Sequence, residues 1–383
     1  MVLVVWGATP AATAREPDDG VYVVDRSASR RVAELIGSGT INDTGRRFGV
    51  EGADLGHMVA HRGRLAMVFG DTYGAPPADP FFAVPHEDWR SNVLAWIDPP
   101  VSPAGGLRFD DMVTDRPGHA AELLGSRKVP GDEQTVIPTY GISVGSRLYL
   151  HYMSVREFTV PGRWTLNSSG IAYSDDDGAT WTKDPATTWP AGSGFGQVSF
   201  SRVGDDVYLH GVPGGRYGGV SLARVPADDL LDPQAYRYWT GSGWSADQAA
   251  ATEVLPGPVG ELSVGFNSFH RKWIMMYLVD PTGEIVLRTA DDVTGPWSDP
   301  QVVLDTRAFP DAYAPYLTPM WNDGPDVWFT MSQFGPYRVS LMRTRLDREP
   351  AGTPLPPEVR PTPPDAVVPG PREQLPYEHG RGL

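Results

Sequence analysis

The chain has no cysteine among its 383 residues. That excludes disulfides, thiolate nucleophiles and cysteine-based zinc sites, and leaves either redox compartment open. Basic charge is also scarce, with 32 Lys and Arg against 47 Asp and Glu for a net charge of −15. An acidic surface repels phosphate backbones and anionic lipid, so no nucleic acid partner is expected and a neutral small molecule or glycan is left open. No stretch approaches the ~20 apolar residues that a membrane-spanning helix needs, so no membrane insertion is expected. A nucleophile elbow, a phosphate loop and a dinucleotide fingerprint are all missing. His57 and His61 are spaced as in a zinc-binding helix, but the intervening glutamate is absent and the pattern is that of a strand. Neither a metal nor a cofactor is expected.

Turn formers and aromatics are plentiful: 43 Gly, 38 Pro, 12 Trp and 15 Tyr. They point to many short strands and few helices. A strand, a turn and a strongly apolar strand recur through the chain. The copies are Asp54–Val59 with Leu65–Phe69, Val136–Val144 with Leu148–Ser154, and Gln197–Val203 with Val207–Val212. Leu262–Phe266 with Trp273–Val279 and Tyr316–Trp321 with Val327–Gln333 complete the series. Further strands follow the pairs, which is the loose repeat of four-stranded propeller blades. Five copies predict an all-β, five-bladed β-propeller, with an early strand around Arg31–Ile36 closing the last blade. Two packed sandwiches would need a linker near the middle, and none is seen.

Ser174-Asp175-Asp176-Asp177-Gly178-Ala179-Thr180-Trp181 fits the Asp-box pattern of a tight turn between outer blade strands. It speaks for architecture and carries no catalytic role here. The domain reading is a signal-peptide remnant or disordered start over residues 1–16, a propeller over 17–348, and an extended tail over 349–383. Residues 2–6 are apolar and Ala12-Thr13-Ala14 fits a cleavage site, although the basic n-region is missing. The tail holds ten prolines without apolar periodicity. A secreted or envelope-associated monomer is the resulting expectation.

The chain is organised around Glu51–Tyr73. Its two strands form a hairpin that reverses at Arg62-Gly63-Arg64. Asp54 opens the first strand and Asp71 closes the second, so antiparallel pairing brings both to one rim. Two carboxylates at the mouth of a β-fold can run acid–base hydrolysis of a glycosidic bond. The plain alternative for Asp71, in Gly-Asp-Thr, is a turn cap. Glu133 and Glu261 open the second and fourth blades and are read as a further acid or as groups that set the pKa of the pair. Asp43 is a weaker substrate-binding candidate, since it also fits a turn. Tyr140, Trp164 and Trp321, with Phe334 and Tyr337, are candidates for stacking on sugar rings.

Several stretches together resemble a known family. They are Asn42-Asp43-Thr44, Gly52-Ala53-Asp54-Leu55-Gly56, Phe69-Gly70-Asp71-Thr72, Val136-Ile137-Pro138-Thr139, the turn at Ser174–Trp181, Arg237-Tyr238-Trp239, Gly260-Glu261-Leu262-Ser263-Val264 and Tyr337–Arg343. The resemblance, over Val32 to Leu346, is to the actinobacterial endo-D-arabinanases, first catalogued as a domain of unknown function. It implies a five-bladed fold, active-site aspartates at Asp54 and Asp71, and internal cleavage of the D-arabinan in mycobacterial arabinogalactan and lipoarabinomannan. Ala53 departs from the small hydroxyl residue expected there. The rival readings are a non-catalytic glycan-binding propeller and a sialidase-like hydrolase, which would have to recruit Arg46, Arg163 and Arg216 for a substrate carboxylate.

Overall fold

The structure is a computed structural model that describes residues 20–75, 88–102, 105–280, 282–304 and 307–350. The proposed start at 1–16 and nearly all of the tail at 349–383 lie outside the described residues. Five antiparallel sheets follow one another in chain order as five blades of a propeller. Blade one holds Gly52–His61, Arg64–Tyr73, Val93–Ile97 and Asp111–Met112. Blade two holds Thr135–Val144, Arg147–Val160, Arg163–Ser174 and Thr182–Pro190. Blade three starts with Gln197–Val203, Asp206–Val212 and Val220–Pro226, and blade four with Leu262–Asn267, Lys272–Val279 and Glu284–Ala290. Blade five is Ala312–Leu317, Asp326–Gln333 and Arg338–Glu349, and its outermost strand is Val21–Glu34 from the start of the described chain.

That last pairing closes the ring. Val21 lies opposite Glu349 and Glu34 opposite Ser340, with bulges between. The closing strand is longer than the Arg31–Ile36 segment expected, because its outer half pairs with the long final strand.

Apart from the closing strand Val21–Glu34, the first strand of each blade in sequence is the innermost, and neighbouring innermost strands touch around the ring. All five therefore run through the channel in one direction. Their N-terminal ends share one mouth with the C-terminal ends of the second strands, and their C-terminal ends share the other mouth.

The core lies between blades. Met67, Phe69 and Leu65 of blade one pack with Val339 and Leu341 of blade five, while Val59, Val68 and Leu94 meet Leu148 and Leu150 of blade two. Similar clusters fill the other three interfaces. Each fully buried side chain of this kind contributes about 1.5–3 kcal/mol, so the ring holds by many equal seams rather than one centre.

The innermost strand of blade five differs from expectation. It is Ala312–Leu317 rather than Tyr316–Trp321. A bulge between Tyr313 and Tyr316, with Ala314 at φ 52°, breaks the alternation that a sequence pattern depends on.

Candidate active site

Blade one supplies two carboxylates to the first mouth. Its hairpin is regular from His61 opposite Arg64 to His57 opposite Val68, slips at Leu55, and resumes at Ala53 opposite Thr72. Leu55 (φ 64°) and Gly56 (φ 84°) both take the left-handed conformation. For a leucine this costs on the order of 1–3 kcal/mol, a strain typical of functional sites. The bulge re-aims Asp54 toward the Gly70–Asp71 segment. A Cβ on Gly70 would lie 2.4 Å from Asp54 Oδ1, so glycine there makes room for the carboxylate.

Asp54 keeps some surface open to solvent, yet its Oδ1 is covered and has no hydrogen-bond partner. Oδ2 accepts a hydrogen bond from the Tyr313 hydroxyl at 3.0 Å. Burial, then the charge of Asp71, pushes the Asp54 carboxyl up to about 8, against the pull of the Tyr313 and Tyr337 hydroxyls. Asp71 is 5% exposed. Its Oδ1 accepts from Thr135 Oγ1 at 2.6 Å and from Trp89 Nε1 at 2.8 Å. Burial pushes Asp71 up to about 6, and those two donors hold it from going further. The environments thus separate two chemically identical groups, one tending to hold its proton at neutral pH and the other to lose it.

Tyr313 stands beside the blade-five bulge, and Tyr337 (φ 51°) sits in the turn before the last strand, where its carbonyl accepts from Ala53 N at 3.1 Å. Burial, and then the nearby Asp54 charge, raises both phenols well above their ordinary value, so they remain donors. Tyr73 packs edge-on against Tyr337 at 5.4 Å and completes an aromatic wall behind the carboxylates.

The third carboxylate is Glu261, 6% exposed, just ahead of the innermost strand of blade four. Its Oε1 accepts from Arg216 Nε at 3.0 Å and Arg216 Nη2 at 2.8 Å, and its Oε2 is covered and unpartnered. Arg216 also faces Asp280 at 3.6 Å. Burial alone would lower the guanidinium, but Glu261 and Asp280 outweigh it and hold it charged. The same guanidinium lies 5.3 Å from the Tyr313 ring centre and 5.9 Å from that of Trp164. A continuous set of contacts therefore runs from Asp54 through Tyr313 and Arg216 to Glu261.

The structure brings Asp54, Asp71, Glu261 and Trp164 to this mouth. Glu133 is not joined to them: it accepts from Ser154 Oγ at 2.7 Å and from Arg127 N at 3.3 Å, within and beside blade two, and bonds to neither aspartate. Asp43 precedes the short helix Thr44–Phe48, where it accepts from Gly39 N and pairs with Arg46, and so acts as a turn residue. Trp321 stands apart from the carboxylates. It follows the end of an innermost strand and lines a cavity of about 340 Å³ at the opposite mouth, with Trp328 and Phe266. Tyr140 is buried part-way along the channel, stacked on His57 at 5.5 Å and tilted against Tyr316 at 5.8 Å, where it reaches that far cavity. A sequence shows a strand end but not which mouth it opens on, so the stacking candidates divide between the two mouths.

Sequence reasoning passes over Tyr313, Trp89 and Thr135. The first is hidden by the misplaced fifth-blade strand, and the other two follow loops that carry no motif. The three arginines of the sialidase-like reading do not form one cluster: Arg46 lies exposed beside Asp43, while Arg163 and Arg216 both lie near Tyr217, Arg163 exposed and Arg216 held by carboxylates.

Residues 39–343 match the model of a family described as "Domain of unknown function (DUF4185)". The chain belongs to that family. The notoamide biosynthesis cluster protein J of Aspergillus sp. (strain MF297-2) is 34% identical over 291 residues, covering 70% of this chain and 75% of the relative. In three dimensions the chain is similar to a Bacteroides ovatus protein described as a candidate hydrolase, with TM-score 0.56 and 14% identity over 79% of this chain and 89% of that one. A GH43_1 enzyme from Xanthomonas citri aligns with TM-score 0.49 and 15% identity, over 89% and 96%.

Proposed function

We propose that this family member is a glycoside hydrolase, with Asp54 as general acid and Asp71 as base or nucleophile. The observation that carries the reading is the pair itself: two carboxylates from adjacent strands at one channel mouth, with affinities for the proton set at about 8 and about 6. Near pH 7 Asp54 is mostly protonated and Asp71 mostly ionised. That is the division of labour glycoside cleavage needs. The Asp54 proton passes to the leaving glycosidic oxygen as the bond to the anomeric carbon breaks. Asp71, whose two hydrogen bonds both go to Oδ1, uses Oδ2 to take a proton from the attacking water or to attack the anomeric carbon itself. Tyr313 keeps the acid oriented, and Trp164 offers an aromatic face beside the mouth.

Within that reading the substrate is D-arabinan, cut at internal D-arabinofuranosyl linkages, and the enzyme works at or outside the cell envelope. This finer part is supported by the resemblance of the blade-one and blade-four motifs to the endo-D-arabinanases. A glycan-binding propeller without catalysis would need only one carboxylate at the mouth, and three stand here. Incubation with purified mycobacterial arabinogalactan, followed by chromatography of the released oligosaccharides, tests the proposal. A ladder of fragments is expected. Intact polymer after prolonged digestion would overturn the arabinan assignment, and failure on a wide panel of glycans would overturn the hydrolase reading.

A further inference from the structure

Two covered oxygens at this mouth, Oδ1 of Asp54 and Oε2 of Glu261, have no hydrogen-bond partner. A buried acceptor left without a donor is destabilising, more so when charged, and structures retain such a group where a ligand or water completes it. Asp54 is accounted for by the proposed chemistry. Glu261 is not, since its Oε1 takes both Arg216 bonds and its Oε2 is left over.

The cations of this rim are also accounted for. Arg216 is held by Glu261 and Asp280, and Lys128 is paired with Glu122 at 2.9 Å. Arg163 stands exposed at the solvent edge, stacked on Tyr217 at 4.2 Å. An anionic sugar entering the mouth would meet Asp71 and Glu261, with no inner cation among the described residues free to receive it. A neutral sugar meets an acceptor that its hydroxyl can satisfy.

We infer that Glu261 is a specificity-determining residue: it offsets the charge of Arg216 and offers Oε2 to a substrate hydroxyl, so that the mouth takes uncharged, hydroxyl-bearing sugars and rejects uronates. The inference rests on the reading of this mouth as a sugar site, but not on the identity of the sugar or on turnover. Removing the Glu261 charge while keeping its shape would uncover the Arg216 guanidinium and invert the preference. Asp280, at a longer distance, would not replace it in full.

The test is binding, read from tryptophan fluorescence (Trp164 lies beside Arg216) and by calorimetry. The probes are neutral D-arabino- and xylo-oligosaccharides and an oligogalacturonate of equal length. The wild type should bind a neutral oligosaccharide and not the uronate. Glu261→Gln should bind the neutral one about tenfold more weakly, the loss of one hydrogen bond to a charged acceptor, and should gain uronate affinity by tenfold or more. A double variant, Glu261→Gln with Arg216→Gln, removes the ion pair as a unit if the single variant fails to fold, and leaves the charge of the partly exposed Asp280 as the balance, as in the wild type. It should lose neutral affinity without gaining the uronate. Wild type that binds the uronate as well as the neutral sugar, or variants with unchanged preference, would overturn the inference and leave the hydrolase reading standing. Neutral binding of a sugar other than arabinan, with the inversion, would support the inference while removing arabinan. No glycan binding at all would overturn both.

Discussion

The Tyr313 hydroxyl donates to Asp54 Oδ2 at 3.0 Å across 259 residues of sequence, tying the fifth blade to the first at the carboxylate. Both residues sit at β-bulges, one marked by Leu55 at φ 64° and one by Ala314 at φ 52°. The two departures from regular pleating converge on a single oxygen, so strain on either blade serves to orient the same acid.

Tyr313→Phe removes a donor that favours the charged form of Asp54. The Asp54 carboxyl should then hold its proton to higher pH, and the alkaline limb of the pH–rate profile should move up from about 8. Loss of orientation should lower kcat about tenfold, the typical worth of one hydrogen bond to a reacting group. A profile with an unshifted alkaline limb would show that the contact does not tune the acid.

Wild-type kcat/KM should follow a bell with limbs at about 6 and about 8, the values of Asp71 and Asp54. Activity is lost below the first because Asp71 is protonated, and above the second because Asp54 has lost its proton. A steady rise through pH 9 would contradict the assignment of Asp54 as acid.

Stability should carry the same signature with a definite sign. Asp54 titrates near 3.8 when exposed and about 8 when folded. Between these values the native state binds more protons than the unfolded one, so stability from this group is present at low pH and lost as pH rises toward 8. Asp54→Asn has no charge to bury. Its melting temperature relative to wild type should therefore climb from pH 4 to pH 9, reaching roughly 5 °C or more, as read by differential scanning calorimetry. A difference that is flat with pH would show that Asp54 ionises without penalty.

Gly70→Ala should separate folding from function. Gly70 has no requirement for a positive φ, but its Cβ would fall 2.4 Å from Asp54 Oδ1 and 3.0 Å from the Leu55 side chain. Displacing the acid should reduce kcat by about 10²-fold or more, as misplacement on the ångström scale does, with far-ultraviolet circular dichroism unchanged. A fully active variant would mean that the Asp54 position seen here is not the working one.

Much of the architecture is legible in the amino-acid sequence. Strands such as Lys272–Val279 are continuous apolar runs between turn residues, and five such runs, each preceded by a more polar strand, can hardly be anything but blades. The hairpin linking Asp54 to Asp71 is legible for the same reason: antiparallel pairing leaves two such ends only one rim to share. Side-chain direction is harder to read. Asp54 reaches its neighbour through a bulge, and a bulge is invisible to an alternating pattern. Trp321 and Trp164 look alike in sequence, yet a strand-by-strand register decides that one opens on the far cavity and the other on the carboxylates. Tyr313 is lost because the pattern starts the fifth-blade strand at Tyr316, after Pro315, when the strand begins at Ala312. The Arg216–Glu261 pair joins blades three and four, and no local signal announces a contact across blades.

The central claim is that Asp54 and Asp71 act together on a glycosidic bond. It is tested most directly by the initial rate of reducing-end release from mycobacterial arabinan by wild type, Asp54→Asn and Asp71→Asn at pH 7. The three should have matched circular dichroism and retained binding of the polymer. The account predicts cleavage by wild type and a fall of about 10³-fold or more in each variant. Wild-type rates in either variant, or a folded wild type that binds the polymer and never cleaves it, would contradict the account.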